Sequence, residues 1–192
     1  MKPLVIYAHP KTNGHCSTIL GEVKKYFKSH KIKYDLIDLY AEKYDALLHE
    51  KEHYTAGGYS VSKRNKEIQK MILATDKLIF IYPVWWGSMP AVLKGFIDRV
   101  FVGRFAFKFR GKIPVGLLKG KKALVFLTTG SASWIYKLIM SNRAVKLIKN
   151  DILGFCGVKA KVCQIGGCTK LTDAQKIKIQ KVVPLRLRSF LK

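Results

Sequence analysis

Four short, mainly apolar runs, rich in β-branched and aromatic side chains, most constrain what this chain can fold into. They occupy residues 4–8, 78–82, 123–128 and 160–165, and the last of them also contains Lys161 and Gln164. Short apolar runs of this kind are typical of strands buried on both faces, as in a parallel sheet. A weaker fifth strand is predicted at 34–39, where Asp35 and Asp38 stand among apolar residues.

Apolar residues between these runs recur at the spacing of an amphipathic helix. These sets begin at Ile19, Ile68, Leu93, Leu138 and Ile177. Strand followed by helix, five times over, predicts an α/β fold: a doubly wound five-stranded parallel sheet with helices on both faces. We expect a single domain over residues 1–192, because no repeat or linker divides the chain. Ligands of such sheets bind at the carboxyl ends of the strands.

The charge is strongly positive and unevenly spread. There are 36 Lys and Arg against 12 Asp and Glu, a net charge of +24, and no acid lies between Arg99 and Asn150. This favours polyanions, phosphorylated ligands or peripheral contact with anionic surfaces. A solvated basic face is the alternative. A basic nucleic-acid-binding module is a further alternative, although no recognised nucleic-acid motif supports specific binding.

The sequence predicts a cytoplasmic protein. The longest uncharged run, residues 78–93, is shorter than the roughly 20 apolar residues of a membrane span. The first residues lack the apolar core of a signal peptide. Cys16, Cys156, Cys163 and Cys168 form no Cys-x-x-Cys pair or common zinc pattern, so we expect reduced thiols and no metal.

The segment after the first strand, residues 9–18, is turn-rich and leads into a helix. Backbone amides and the helix dipole at such a place bind phosphate. The segment matches neither the Gly-x-Gly-x-x-Gly pattern nor the P-loop pattern. An ordinary helix cap at Asn13 or Ser17 is the alternative.

Two further loops offer chemistry at the same edge of the sheet. Trp85 and Trp86 follow the third strand, and adjacent tryptophans are hard to bury together, so a wall for a flat ligand is predicted. Residues 128–131, Thr-Thr-Gly-Ser, offer amides and hydroxyls after the fourth strand, unless they form an ordinary turn. The three loops together predict a phosphate site beside a planar heterocycle.

The chain resembles the NAD(P)H:quinone oxidoreductase branch of the flavodoxin-like proteins. The most specific match is residues 82–101, Tyr-Pro-Val-Trp-Trp-Gly-Ser-Met-Pro-Ala-Val-Leu-Lys-Gly-Phe-Ile-Asp-Arg-Val-Phe, and residues 7–10, 103–107 and 128–130 also match. The resemblance implies a flavodoxin-like sheet, a bound flavin, a homodimer, and hydride transfer from NAD(P)H to a quinone or similar small acceptor. An electron carrier is a nearby alternative.

The resemblance also implies roles for individual residues. His9, His15, Cys16 and Ser17 would meet the flavin phosphate, with Gln69 near the ribityl chain. Pro83, Val84, Trp85 and Trp86 would line the isoalloxazine, and Thr128, Thr129, Gly130 and Ser131 would face its pyrimidine edge. Tyr136 would assist hydride transfer as a catalytic residue. Phe107, Lys108 and Phe109 would contact substrate, in the partner's site of the dimer.

The chain departs from the family pattern in several places. Gly14-His15-Cys16 stands where Ser-Phe-Asn is usual, Ser131 replaces a glycine, and Asn142 stands where long members have the histidine of a tyrosine–histidine relay. A long C-terminal extension is missing, which favours FMN over FAD. Separately, Lys108, Arg110 and Lys112 are predicted to attract the phosphates of the nicotinamide nucleotide.

One pattern points to different chemistry. Residues 49–53, His-Glu-Lys-Glu-His, match the His-Glu-x-x-His pattern of zinc proteases. That chemistry needs both imidazoles on one face of an α-helix, and the glycines at 57 and 58 permit only a short helix here.

Overall fold

The computed structural model describes residues 2–53 and 60–192. Its centre is a parallel sheet of five strands: β1 (Leu4–Tyr7), β2 (Asp35–Asp38), β3 (Lys77–Pro83), β6 (Lys122–Thr128) and β7 (Lys159–Ile165). They lie side by side in the order β2-β1-β3-β6-β7. Counting only these strands, the order is 2-1-3-4-5, which confirms the predicted doubly wound sheet of the flavodoxin type.

Helices cover both faces of the sheet. The helices are α1 (His15–Ser29), α2 (Lys63–Leu73), α3 (Ala91–Val100), α4 (Ser133–Ile139), α5 (Arg143–Lys146), a π-helix (Leu147–Gly154) and α6 (Asp173–Leu191). One core contains α2, α3 and the π-helix, and the other contains α1 and α6. On β3, Phe80 faces the first core and Ile79 the second, which is why the strand has no polar alternation.

Strand β7 differs from the expectation of burial on both faces. It lies at the edge of the sheet, where Lys161 is exposed and Gln164 is only partly buried. An edge strand has a neighbour on one side only, so parts of its faces stay in contact with water.

Two local features were not predicted. Strands β4 (Phe107–Arg110) and β5 (Ile113–Gly116) form an antiparallel hairpin, anchored by Phe107 against Phe155 at 4.9 Å between ring centroids. The helix expected to begin near Leu138 is instead divided into α4, α5 and the π-helix. Ser141 and Asn142 have positive φ, which interrupts the helix.

Two ion pairs fix the segment that contains the His-Glu-x-x-His pattern. Glu50–Glu52 form a single 3-10 turn, and Glu52 is buried against Arg99 with Nε 2.8 Å from Oε2. His49 Nε2 lies 2.7 Å from the Asp45 carboxylate. Residues 54–59, with the two glycines, lie outside the described residues. Within the described ranges, no group of three or more metal-ligating side chains is assembled.

No described helix is long and apolar enough to span a bilayer.

Candidate active site

A cavity of about 370 Å³ opens at the carboxyl ends of β1, β3, β6 and β7. Its walls come from the four loops that follow these strands. The lining residues are His9, Lys11, Asn13, Gly14, His15, Cys16, Pro83, Val84, Trp85, Thr128, Thr129, Gly130, Cys168, Thr169 and Leu171. The cavity therefore lies where a doubly wound sheet binds its ligands.

The N-terminus of α1 forms one wall. Gly14 is the N-cap residue, and its N–H donates to Ser17 Oγ over 2.7 Å. The expected cap at Asn13 is therefore wrong, and Ser17 completes the cap from the third position of the helix. Ser17 does not line the cavity, because its hydroxyl is turned back to Gly14. The other amides of the first turn remain the local source of positive potential.

His15 is a buried side chain with an unused polar atom. Its Nε2 is buried and has no hydrogen-bond partner among the described residues. Burial lowers the pKa of His15 and nearby His9 lowers it further, while a hydrogen bond with the Lys170 backbone opposes the shift. His9 Nδ1 accepts a hydrogen bond from the Lys11 N–H at 2.9 Å. A buried nitrogen without a partner is costly, so a ligand atom at this wall would satisfy it.

Cys16 is a structural thiol. Its side chain is buried, and Sγ lies 3.5 Å from Thr128 Oγ1. Burial raises the pKa of Cys16 to about 12. The thiol is therefore neutral at physiological pH and adds no negative charge beside the helix terminus.

The two adjacent tryptophans separate. Trp85 and Ser88 exchange backbone hydrogen bonds of 2.9 Å around a tight turn, in which Trp86 and Gly87 have positive φ. Trp85 lines the cavity with 40% of its surface exposed, and its ring centroid lies 5.9 Å from that of His9. Trp86, at the tip of the turn, is fully exposed and does not line the cavity of its own chain.

The loop after β6 supplies the opposite wall. Thr128 and Thr129 are buried, and Thr129 Oγ1 donates to the Ser131 carbonyl at 3.0 Å. The Thr128 carbonyl accepts from the Val84 N–H at 2.8 Å, which ties this wall to the tryptophan loop. Ser131 is exposed and does not line the cavity. Its carbonyl accepts hydrogen bonds from the Thr129 hydroxyl and the Gly167 N–H.

The loop after β7 was missed by the sequence reasoning. Cys168, Thr169 and Leu171 line the cavity, and the Cys168 N–H donates to the Thr129 carbonyl at 2.9 Å. The position of this loop after a parallel strand was the available signal. Gly166 allows the close approach, because a Cβ there would lie 2.7 Å from the Ser131 carbonyl oxygen.

Three sets of expected site residues lie elsewhere in the chain. Gln69 Nε2 donates to the Val100 carbonyl at 2.9 Å, between α2 and α3. Tyr136 is buried and its hydroxyl accepts from the Ala144 N–H at 3.4 Å. Residues 107–109 belong to the β4–β5 hairpin. None of them lines the cavity of its own chain.

A family model described as flavodoxin-like fold matches residues 1–178. The chain belongs to this family. Two relatives that match over most of their length carry oxidoreductase names. An uncharacterized NAD(P)H oxidoreductase of Haemophilus influenzae is 28% identical over 175 residues, 90% of this chain and 87% of that protein. An FMN-dependent NADH:quinone oxidoreductase of Caldicellulosiruptor bescii is 33% identical over 171 residues, 82% of each chain.

One solved structure matches nearly the whole chain. Smu.1420 from Streptococcus mutans superposes with a TM-score of 0.85 and is 30% identical, over 98% of this chain and 100% of that one. The relatives support the predicted membership of the NAD(P)H:quinone oxidoreductase branch.

Proposed function

We propose that this flavodoxin-like protein is a flavin-dependent NAD(P)H dehydrogenase that passes a hydride, through bound FMN, to a quinone or similar small acceptor. The observation that carries the proposal is one cavity with two chemically different walls. The α1 N-terminus and the unpartnered His15 Nε2 form one wall, and half-exposed Trp85 forms another. A phosphate and a flat heterocycle are the two ends of an FMN molecule, which a ribityl chain joins.

The residues present fit FMN. Backbone amides of the first turn of α1, together with His15, would hold the phosphate. A phosphate needs hydrogen-bond donors around it, and no Asp or Glu is among the residues that line the cavity. Pro83, Val84 and Trp85 would line the isoalloxazine, with residues 128–130 at its pyrimidine edge. The volume lies near the lower end of the roughly 300–1,000 Å³ typical of ligand sites, which favours a mononucleotide over FAD.

Bound flavin supplies the two-electron hydride chemistry, and the protein supplies position and electrostatics. Trp85 and the loop after β6 would fix the plane of the heterocycle. The Thr129 N–H and hydroxyl donate within the protein, so the remaining donors of that loop, such as the Gly130 N–H, would favour negative charge at the pyrimidine edge. The neutral Cys16 thiol leaves the phosphate wall free of repulsion.

A homodimer completes this proposal. Large apolar side chains are exposed on α4 and the neighbouring loops, including Trp86, Trp134, Leu138 and Ile139. Phe109 is exposed on the hairpin together with Lys108, Arg110 and Lys112. In the proposed dimer, Phe107, Lys108 and Phe109 contact substrate in the partner's cavity, and the cations attract the phosphates of NAD(P)H. Four unpaired cysteines support a reducing, cytoplasmic location.

The first test is the visible spectrum of the purified protein after incubation with FMN, before and after anaerobic NADH or NADPH. Retained flavin bands that bleach with either nucleotide are the expected result. Flavin bands that neither nucleotide bleaches would indicate an electron carrier, and failure to retain FMN or FAD would refute the flavin site.

A matched pair of variants tests the phosphate wall. His15→Leu is expected to weaken FMN binding roughly tenfold, the equivalent of one hydrogen bond of about 1.4 kcal/mol. His30→Leu, at the other end of α1, is the control and should bind FMN as the wild type does. Equal affinity for all three proteins would remove His15 from the site.

Sedimentation velocity tests the dimer. Leu138→Glu is expected to convert it to a monomer, because the charge would lie in the proposed apolar interface. Leu73→Glu on α2 is the control, since Leu73 is also an exposed leucine but lies outside the proposed interface. A wild-type monomer at micromolar concentration would refute this part of the proposal.

A further inference from the structure

A second cavity, of about 310 Å³, lies at the opposite end of the sheet from the candidate active site. It is formed by the starts of β6 and β7 and the last turn of α6. The residues that define its chemistry are Lys122, Lys159, Lys161, Lys192, Ser189 and Phe190. No acidic side chain is among its lining residues.

The strand register places three of these lysines side by side. Lys122 on β6 is the register partner of Lys159 on β7, and Lys161 follows two residues later on the same face. That face is the one covered by α6, because Leu124 and Cys163, at the same parity, belong to the core with α6. The fold therefore concentrates three positive charges beneath one helix end.

These three ammonium groups have no ion-pair or hydrogen-bond partner within residues 2–53 and 60–192. Two neighbouring lysines are different. Lys77 Nζ donates to the Leu191 carbonyl, and Lys121 Nζ donates to the Thr75 carbonyl at 2.6 Å. Lys121 also has a nearby opposite charge: burial lowers the pKa of Lys121, and the carboxylate of Asp76 opposes that shift. The C-terminal end of α6 opposes this charge with only about half a negative charge, so the four lysines of the pocket leave a net positive charge available to a ligand.

Protection of an exposed sheet edge does not account for the whole cluster. Lysines on edge strands discourage pairing between molecules, and this applies to Lys159 and Lys161 on β7. Lys122, however, lies on β6, which has a strand on each side. Three like charges held together repel one another, and a multivalent anion would relieve that repulsion.

We infer that this cavity, which we call the lysine pocket, binds a small polyphosphate. Lysine is a common phosphate ligand, and three ammonium groups match the several charges of a di- or triphosphate. The pocket is a concavity of nucleotide size rather than an extended face, which favours a small ligand over nucleic acid or a membrane. ATP and inorganic triphosphate are two sources of the same chemistry.

Isothermal titration calorimetry on the FMN-saturated protein tests the inference with both ligands. Binding with one ligand per chain is expected, and a tighter constant for ATP would identify a nucleotide as the source. The Lys159→Gln/Lys161→Gln double variant should weaken binding at least tenfold. The control, Lys66→Gln/Lys70→Gln, makes the same charge change on α2, at the other face of the sheet, and should stay within twofold of wild type.

The flavin spectrum gives an independent reading, since both double variants should retain FMN as the wild type does. No heat with either polyphosphate would overturn the inference. Equal weakening by both double variants would also overturn it, because that result means attraction to net charge alone. Binding of duplex DNA or anionic vesicles that the Lys159→Gln/Lys161→Gln variant abolishes, without polyphosphate binding, would replace the small ligand by a macromolecular one.

Discussion

Replacement of Gly166 by alanine tests how the cavity walls are held together. Gly166 lies in the loop after β7, and a Cβ there would lie 2.7 Å from the Ser131 carbonyl oxygen and closer still to the Ser133 nitrogen. Both contacts are with main chain, which cannot rotate away as a side chain can. The Gly166→Ala variant must therefore separate the loop after β7 from the loop after β6.

The expected cost follows from that overlap. Overpacking of this kind costs about 1–3 kcal/mol of unfolding free energy. For a chain of 192 residues this corresponds to a fall in Tm of about 2–12 °C. The loop after β6 includes Thr129 and Gly130, so its displacement should also weaken FMN binding, by roughly tenfold for each hydrogen bond lost.

Differential scanning calorimetry and fluorescence titration with FMN measure the two effects. The control is Gly21→Ala in α1, where a Cβ would have no heavy atom within 4 Å. Alanine is favoured over glycine inside a helix by about 0.5–1 kcal/mol, so this variant should raise Tm and leave FMN affinity unchanged. A Gly166→Ala protein with wild-type Tm and FMN affinity would refute the reasoning.

Three other predictions concern buried charges and thiols. Glu52→Gln removes the buried one of the two carboxylates that pair with Arg99, which keeps Asp45 at 2.9 Å, and should cost about 1–3 kcal/mol in urea unfolding. Glu52→Leu with Arg99→Met should recover most of that loss, and equal stability of the two variants would contradict this. Burial lowers the pKa of His15, so the unfolded chain binds its proton more readily, and stability of the FMN-free protein should fall as pH drops below about 6.5. His15→Gln should reduce that slope, and an unchanged slope would count against it. With its pKa at about 12, Cys16 has about a thousandfold less thiolate than a thiol of ordinary pKa, so mass spectrometry should find it unalkylated at pH 8 until denaturant is added.

The sequence predicted the parts of the fold that are governed by burial. Strands β1, β3 and β6 lie inside the sheet, so both faces select apolar residues and the pattern is unambiguous. The β4–β5 hairpin is different, because its four-residue strands are mostly exposed and carry Lys108 and Arg110. No burial pattern marks such strands, and only their register with each other defines them.

The candidate site shows the same difference between what the sequence pattern predicts and what local backbone geometry decides. Loops after strands could be located from topology, and residues at three of them line the cavity. Which side chain of a loop enters the cavity depends on local backbone geometry that spacing does not encode. Trp85 and Trp86 are adjacent, yet positive φ at Trp86 sends its ring to solvent. Tyr136 is likewise held inside by Ala144, which belongs to the unpredicted α5.

The net charge of +24 is a property of the surface rather than of the active-site cavity. Lys11 is the single lysine or arginine among the described residues that line that cavity, whereas the lysine pocket has four lysines. Phosphate at the cavity would therefore be held mainly by backbone amides and His15, and such contacts release few counterions. Polyphosphate at the lysine pocket would neutralise several ammonium groups at once. Affinity for FMN should consequently change little between low and high salt, while affinity for polyphosphate should fall steeply.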